Sequence, residues 1–151
     1  MVQLAQIEKT FGFSSRHVYQ YVVDMENYGN WFPGVIDIHS VDELPPGTIG
    51  KRYLERIEFP TGPGELNIEV KQATANERFV TEGDLPQLLP RMTVDFTDVG
   101  DGGCRLLLTY ESRHPDVAAD RDMVDTLHRD LMMRGEIALL RLQQILLRQP
   151  V

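Results

Sequence analysis

Residues 117–149 read VAADRDMVDTLHRDLMMRGEIALLRLQQILLRQ, and apolar side chains recur in this stretch with the period of an α-helix. The segment 114–116, His-Pro-Asp, precedes it, and an aspartate is favourable beside the positive N-terminus of a helix. The sequence therefore predicts one long C-terminal helix over roughly 117–149. Its buried face is predicted to consist of Val124, Leu127, Leu131, Gly135, Ala138, Leu142, Ile145 and Leu146.

Upstream of this helix, apolar and polar residues alternate with period two in residues 66–71, 92–97 and 106–111. Such alternation is typical of antiparallel strands with one covered face and one wet face. Turn signals rich in proline and glycine separate these segments. Six or seven strands are predicted, the others at 3–11, 35–43, 49–59 and 77–83.

Two short helical segments are predicted after the first strand. A helix opens at Ser14 or Ser15, either of which can cap it, and a short turn follows through residues 27–31. The order of elements predicts an α+β fold in which a curved antiparallel sheet wraps around the long helix. We expect residues 1–151 to form a single domain with room for an apolar cavity between sheet and helix.

Composition excludes several classes of function. The formal net charge of −8 argues against nucleic-acid binding and against an anionic membrane surface. No apolar run approaches the roughly 20 residues of a membrane span, and no signal peptide is apparent. The single cysteine, Cys104, forms no internal disulfide, so a cytoplasmic location is expected. The four histidines show no metal-ligand spacing, and we expect no metal and no cofactor.

The sequence contains VYQYVVDMENY at 18–28, WFPGV at 31–35 and GTIGKRY at 47–53. Together these segments resemble the START-like superfamily, also called SRPBCC or the polyketide cyclase/dehydrase and lipid transport group. Residues 18–28, VYQYVVDMENY, resemble the first helix of that family and its aspartate, here Asp24. Residues 31–35, WFPGV, resemble its Trp-x-Pro segment, and residues 47–53, GTIGKRY, its glycine-bearing third strand. The resemblance implies a helix-grip fold, but function depends on the site and not on the fold. Asp24 is interpreted as a structural hydrogen-bonding residue.

Two residues are candidates for acid–base chemistry. Glu55 is the one carboxylate in the predicted inward set of the third strand, and burial in an apolar cavity would raise its pKa. A bulge that turns Glu55 outward is the alternative. His128 lies about 40° from Val124 on the helical wheel, and it could face the cavity or bond a backbone carbonyl at the helix flank.

Apolar and aromatic residues on the predicted inner faces are the candidates for ligand contact. Tyr53 and Tyr110 each combine apolar area with one hydroxyl group, although such tyrosines are more often ordinary core residues with a satisfied hydroxyl. Trp31 either closes the core or lies at the cavity mouth, and Gly135 allows close approach of the sheet or of a ligand. The predicted ligand-binding set is Trp31, Tyr53, Phe59, Met92, Phe96, Tyr110, Leu131 and Gly135.

The opposite side of the long helix carries a second apolar stripe. It consists of Met133, Ile137, Leu140 and Leu147, and an exposed apolar stripe can mark a protein interface. A homodimer through this stripe is therefore expected.

The first function hypothesis is binding or transport of a small hydrophobic or aromatic molecule in the cavity. The second is a polyketide cyclase or dehydratase-like enzyme, with a shaped cavity and a proton donor and acceptor. The third is an interaction module that docks through the outer stripe.

Overall fold

Seven alternating segments build one antiparallel sheet in the computed structural model, which describes residues 1–149. Pro150 and Val151, the end of the predicted domain, lie outside the described residues. The sheet order is β1-β7-β6-β5-β4-β3-β2. The strands are β1 (Val2–Phe11), β2 (Val35–Ser40), β3 (Arg52–Phe59), β4 (Gly62–Thr74), β5 (Arg78–Gly83), β6 (Pro90–Val99) and β7 (Gly103–Ser112).

The helices confirm the predicted α+β architecture. Helix α1 (Ser15–Val22) is capped by Ser14, whose side chain accepts a hydrogen bond from the backbone N–H of His17. A 3₁₀ turn (Met25–Asn27) and the short helix α2 (Tyr28–Trp31) follow. Asp24 caps the 3₁₀ turn by accepting a hydrogen bond from the backbone N–H of Glu26 at 3.0 Å, which is a structural role.

The long helix was predicted to begin near residue 117, but the structure has a break in the helix at Asp120. A short helix, α3 (Pro115–Ala119), precedes α4 (Arg121–Arg148), and Asp120 between them has an extended backbone. The Asp120 side chain accepts a hydrogen bond from the backbone N–H of Met123 at 3.1 Å. Aspartate favours this capping position over a helix interior, so the chain starts a new helix there.

The strand register sets which side chains of β3 point inward. Tyr53, Glu55 and Ile57 alternate along β3, and all three are buried. The pairing of β3 with β4 runs without a register shift, whereas a bulge lies on β2 between Val35 and Asp37. The predicted inward direction of Glu55 is therefore confirmed, because no bulge interrupts its own strand.

Helix α4 packs against β1, where Gly135 contacts the sheet. A Cβ atom at Gly135 would overlap Cδ1 of Ile7 on β1 and lie 3.0 Å from its Cγ1. Close approach of the sheet therefore accounts for a glycine in the middle of a helix. The buried residues of α4 are Leu127, Gly135, Ala138, Leu139, Leu142 and Leu146.

Candidate functional site

An apolar cavity of about 70 Å³ lies between the sheet and α4. Side chains from the inner faces of β3 to β7 form most of its wall, and Leu131 of α4 and residues around α2 complete it. A cavity of this size is smaller than the roughly 300–1,000 Å³ typical of ligand pockets. A ligand larger than a small ring must therefore displace side chains or extend out of the cavity.

Glu55 is a buried carboxyl group in this apolar wall. Its residue is 4% exposed, and no group within residues 1–149 forms a hydrogen bond with its Oε2. Desolvation by burial raises the pKa of Glu55 to about 8. The carboxyl group is consequently mostly neutral at pH 7, when it can donate one hydrogen bond and accept others.

Two tyrosines on the same wall share a hydrogen bond. The hydroxyl oxygens of Tyr28 and Tyr110 lie 2.6 Å apart, and either group can donate. Burial raises the pKa of both hydroxyls, and the nearby Glu55 carboxylate raises them further. Phe32 stacks on Tyr28 with a centroid distance of 5.1 Å, which holds the pair in place. Glu55, Tyr28 and Tyr110 are therefore a small cluster of polar side chains in the wall of an otherwise apolar cavity.

A wider groove of about 580 Å³ opens beside the cavity. It runs between the β3–β4 turn, residues 60–64, and the first turns of α4 near Met123 and Leu127. Phe59 and Leu88 line both the groove and the cavity. The cavity and the groove are therefore neighbours that share these two side chains.

Five of the predicted site residues line the cavity together. They are Glu55, Phe59, Met92, Tyr110 and Leu131, which come from four strands or helices.

The other predicted contact residues lie in the core outside the cavity wall. Trp31 is fully buried and packs edge-on against Tyr28, so it closes the core. Phe96 packs edge-on against Tyr19 of α1. Tyr53 is fully buried with Lys51 over its ring, and Gly135 contacts Ile7.

His128 does not face the cavity, so its candidate catalytic role is corrected, and the alternative of a backbone hydrogen bond at the helix flank is the one observed. Its side chain lies on the exposed flank of α4, where Nδ1 is 2.8 Å from the backbone carbonyl oxygen of Leu4. Leu127 and Leu131 are the inward residues of this part of α4, so the neighbouring His128 points beside β1. The structure gives His128 a structural hydrogen bond instead of a catalytic position.

Several lining residues were missed by the sequence interpretation. Tyr28, Phe32 and Met25 belong to the short segment after α1, which has too few residues for a periodic pattern. Leu88 lies in the loop before β6. The one usable signal was the aromatic density of residues 28–32, YGNWF.

Other chemistry is limited in the described part of the chain. No group of three or more histidine, cysteine, aspartate or glutamate side chains within residues 1–149 could hold a metal ion. Cys104 is fully buried, and burial raises the pKa of its thiol, which disfavours the nucleophilic thiolate. No helix in residues 1–149 is both long enough and apolar enough to cross a bilayer.

Comparison with known proteins shows structural similarity. No protein-family profile and no curated protein sequence matches the chain. A START superfamily protein from Mycobacterium smegmatis superposes with a TM-score of 0.74 at 15% identity, covering 95% of this chain and 99% of that one. The protein TTHA0849 from Thermus thermophilus superposes with a TM-score of 0.71 at 18% identity, covering 95% and 96%.

A third similar structure is the di-domain ARO/CYC protein BexL from the BE-7585A biosynthetic pathway. Its TM-score is 0.71 at 16% identity, and the match covers 95% of this chain but 46% of BexL. This chain therefore spans about half the length of that protein. The strand order, the long final helix and these superpositions together show that the chain has the START-like, helix-grip fold.

Proposed function

We propose that this protein binds a small hydrophobic or aromatic molecule between the sheet and α4. The observation that carries the proposal is the buried, unpartnered carboxyl group of Glu55 in an otherwise apolar cavity wall. Leaving a buried polar atom without a partner costs about 1–3 kcal/mol, and a bound ligand would supply the missing hydrogen bond.

The two adjoining spaces suggest how such a ligand lies. A ring or alkyl group fits the 70 Å³ cavity, and the remainder of the molecule occupies the 580 Å³ groove. Phe59 and Leu88, which line both spaces, would move apart on binding. The ligand would thus contact Glu55 at its inner end and the first turns of α4 at its outer end.

Changing the size of Leu131 tests this location. Leu131→Phe narrows the cavity, and we expect about tenfold weaker binding of a neutral fluorescent probe, N-phenyl-1-naphthylamine, because an added ring occupies the space. Leu131→Ala enlarges the cavity and is expected to bind the probe at least as tightly as the wild type. Fluorescence titration gives both affinities.

The same protein preparation should be examined by native mass spectrometry with denaturing extraction. A co-purified apolar molecule supports the proposal. Equal probe affinity in the two Leu131 variants, together with an apo mass, would contradict it and favour the interaction module.

A second candidate is an enzyme of the cyclase or dehydratase type. It is favoured by one observation, namely that the pKa of Glu55, about 8, suits a general acid or base near neutral pH. BexL, an ARO/CYC protein, has the same fold. A Glu55→Gln variant that binds but no longer converts a β-keto thioester would identify catalysis, and unchanged conversion would exclude Glu55 as its acid or base.

We further propose that the outer face of α4 pairs with the same face of a second copy. Met133, Ile137, Leu140 and Leu147 are 57%, 38%, 56% and 61% exposed. With Gln144, their spacing alternates between four and three residues, as at the a and d positions of a coiled coil. The expected occupant is therefore a second α4 helix.

Charges beside this stripe favour a parallel pair. Glu136 and Arg141 occupy opposite flanks of the stripe, five residues apart, at g and e positions. In a parallel pair Glu136 of one copy faces Arg141 of the other. In an antiparallel pair the e positions of the two copies face each other, so Arg141 and Arg148 of one copy would lie against the same arginines of the second and repel them.

Charge reversal tests the dimer. Glu136→Arg and Arg141→Glu should each weaken association, about fivefold or more, because like charges then face each other. The double variant should restore association. Sedimentation velocity over a concentration series measures this. A wild-type monomer at high concentration, or a double variant weaker than either single variant, would contradict the parallel dimer.

A further inference from the structure

We propose that Glu55, Tyr28 and Tyr110 form a hydrogen-bond donor site for a carbonyl oxygen, so that the protein selects neutral ketones or aldehydes on an apolar skeleton and rejects carboxylates. This inference rests on the proposed ligand binding in the cavity. It goes further because it assigns a polar group to the ligand and a role to the tyrosine pair. All three side chains line the same cavity from separate elements, namely β3, α2 and β7.

The first donor is the neutral carboxyl group of Glu55. Its Oε2 has no hydrogen-bond partner within residues 1–149, and the residue is 4% exposed, so bulk solvent has little access to it. A carboxylic acid that an apolar site keeps neutral carries one O–H donor. An acceptor oxygen in the cavity is the complement that this group lacks.

The second donor comes from the tyrosine pair. Two hydroxyl groups carry two hydrogens, and the 2.6 Å contact between Tyr28 and Tyr110 uses one of them. The other hydrogen remains for a ligand. Aromatic contacts hold both rings, since Phe32 stacks on Tyr28 and packs 5.5 Å from Tyr110. The donor is therefore fixed in position before a ligand arrives, which lowers the entropic cost of binding.

The charges near the cavity disfavour an anionic ligand. No lysine, arginine or histidine of the described residues lines the cavity, and the acidic side chain that faces it is that of Glu55. Arg134 of α4 acts on Tyr28, but its guanidinium is paired with Asp130 at 3.1 Å. A carboxylate ligand would enter this cavity without a countercharge and beside the carboxyl group of Glu55.

Three probes of nearly equal shape test the inference by calorimetric titration. Acetophenone offers a carbonyl oxygen, ethylbenzene lacks it, and benzoate carries a charge. At about pH 6 the wild type should bind acetophenone about tenfold more tightly than ethylbenzene, with no measurable binding of benzoate. Two variants, Glu55→Leu and Tyr110→Phe, should each reduce the preference for acetophenone and leave the affinity for ethylbenzene nearly unchanged.

The pH dependence separates hydrogen-bond donation from ion pairing. Above about pH 8 Glu55 ionises and loses its donor hydrogen, so the preference for acetophenone should fall by about tenfold per pH unit at most. Ethylbenzene binding reports any change in the cavity itself. Tyr28 and Tyr110 have raised pKa values and stay neutral in this range.

The outcomes distinguish this inference from the proposed function. Equal affinity for acetophenone and ethylbenzene would overturn the carbonyl site and leave apolar binding intact. Preferential binding of benzoate would overturn it as well, as would a carbonyl preference that rises above pH 8. Absence of binding for all three probes would overturn both proposals.

Discussion

Glu55→Gln is expected to raise the free energy of unfolding by roughly 3 kcal/mol at pH 7, and to change it little at pH 4. Burial raises the pKa of Glu55 from 4.5 to about 8 in the folded protein. Between these values the folded protein holds a proton that the unfolded chain has released. Stability therefore falls as the pH rises from about 4.5 to about 8, and glutamine removes this loss because it does not titrate.

Urea unfolding at a series of pH values measures this effect. Glu58→Gln is the matched control, because Glu58 lies on the same strand with its side chain exposed to solvent. The wild type and the control should lose stability in parallel over this pH window, while Glu55→Gln should stay level. A Glu55→Gln variant that follows the wild-type pH profile would show that the carboxyl group is not desolvated.

A stability gain from this substitution would also bear on function. A buried carboxyl group that costs the fold free energy conflicts with local packing rules, and such conflicts concentrate at functional sites. Suppose that Glu55→Gln gains stability and that Glu55→Leu loses the preference for acetophenone. The carboxyl group of Glu55 would then both destabilise the fold and contribute to ligand binding. This combination would distinguish a ligand site from an accident of packing.

Period-two patterns were sufficient to predict the sheet and the inward direction of Glu55. In a strand, residues two positions apart share a face. Tyr53 and Ile57 are buried, so Glu55 between them also points inward. Helical periodicity left two positions open for His128, because a helical wheel gives the angle of a residue but not the rotation of the helix against the sheet. The packing of α4 against β1 and the contact of His128 with the Leu4 carbonyl join residues that are far apart in the sequence. No local pattern indicates such contacts.

The polar part of the site could be predicted only in part. Glu55 and Tyr110 lie on strands with clear patterns, but Tyr28 lies in a four-residue helix. Contact between Tyr28 and Tyr110 joins residues separated by 82 positions, and nothing local in either segment indicates it. The size of the cavity likewise depends on how closely α4 approaches the sheet.

The distance between α4 and the sheet depends on Gly135, and this dependence can be tested directly. Gly135→Val is expected to lower the free energy of unfolding by about 3 kcal/mol, because its side chain would overlap Ile7 and push α4 away from β1. Ile7→Ala alone is expected to cost about 3 kcal/mol, since it leaves a void under the helix. Urea unfolding of both single variants and the double variant measures the coupling between the two positions.

In the double variant the valine at position 135 fills the space that Ile7→Ala vacates. The expected total loss is therefore about 3–4 kcal/mol, well below the sum of the two single effects. Val80→Ala, a buried substitution on β5, is a suitable control for Gly135→Val: β5 lies three strands from β1, so these two effects should add. Simple additivity between positions 7 and 135 would contradict the proposed contact. Coupling of about 2 kcal/mol would show that a single glycine sets the distance between helix and sheet, and with it the depth of the cavity that α4 covers.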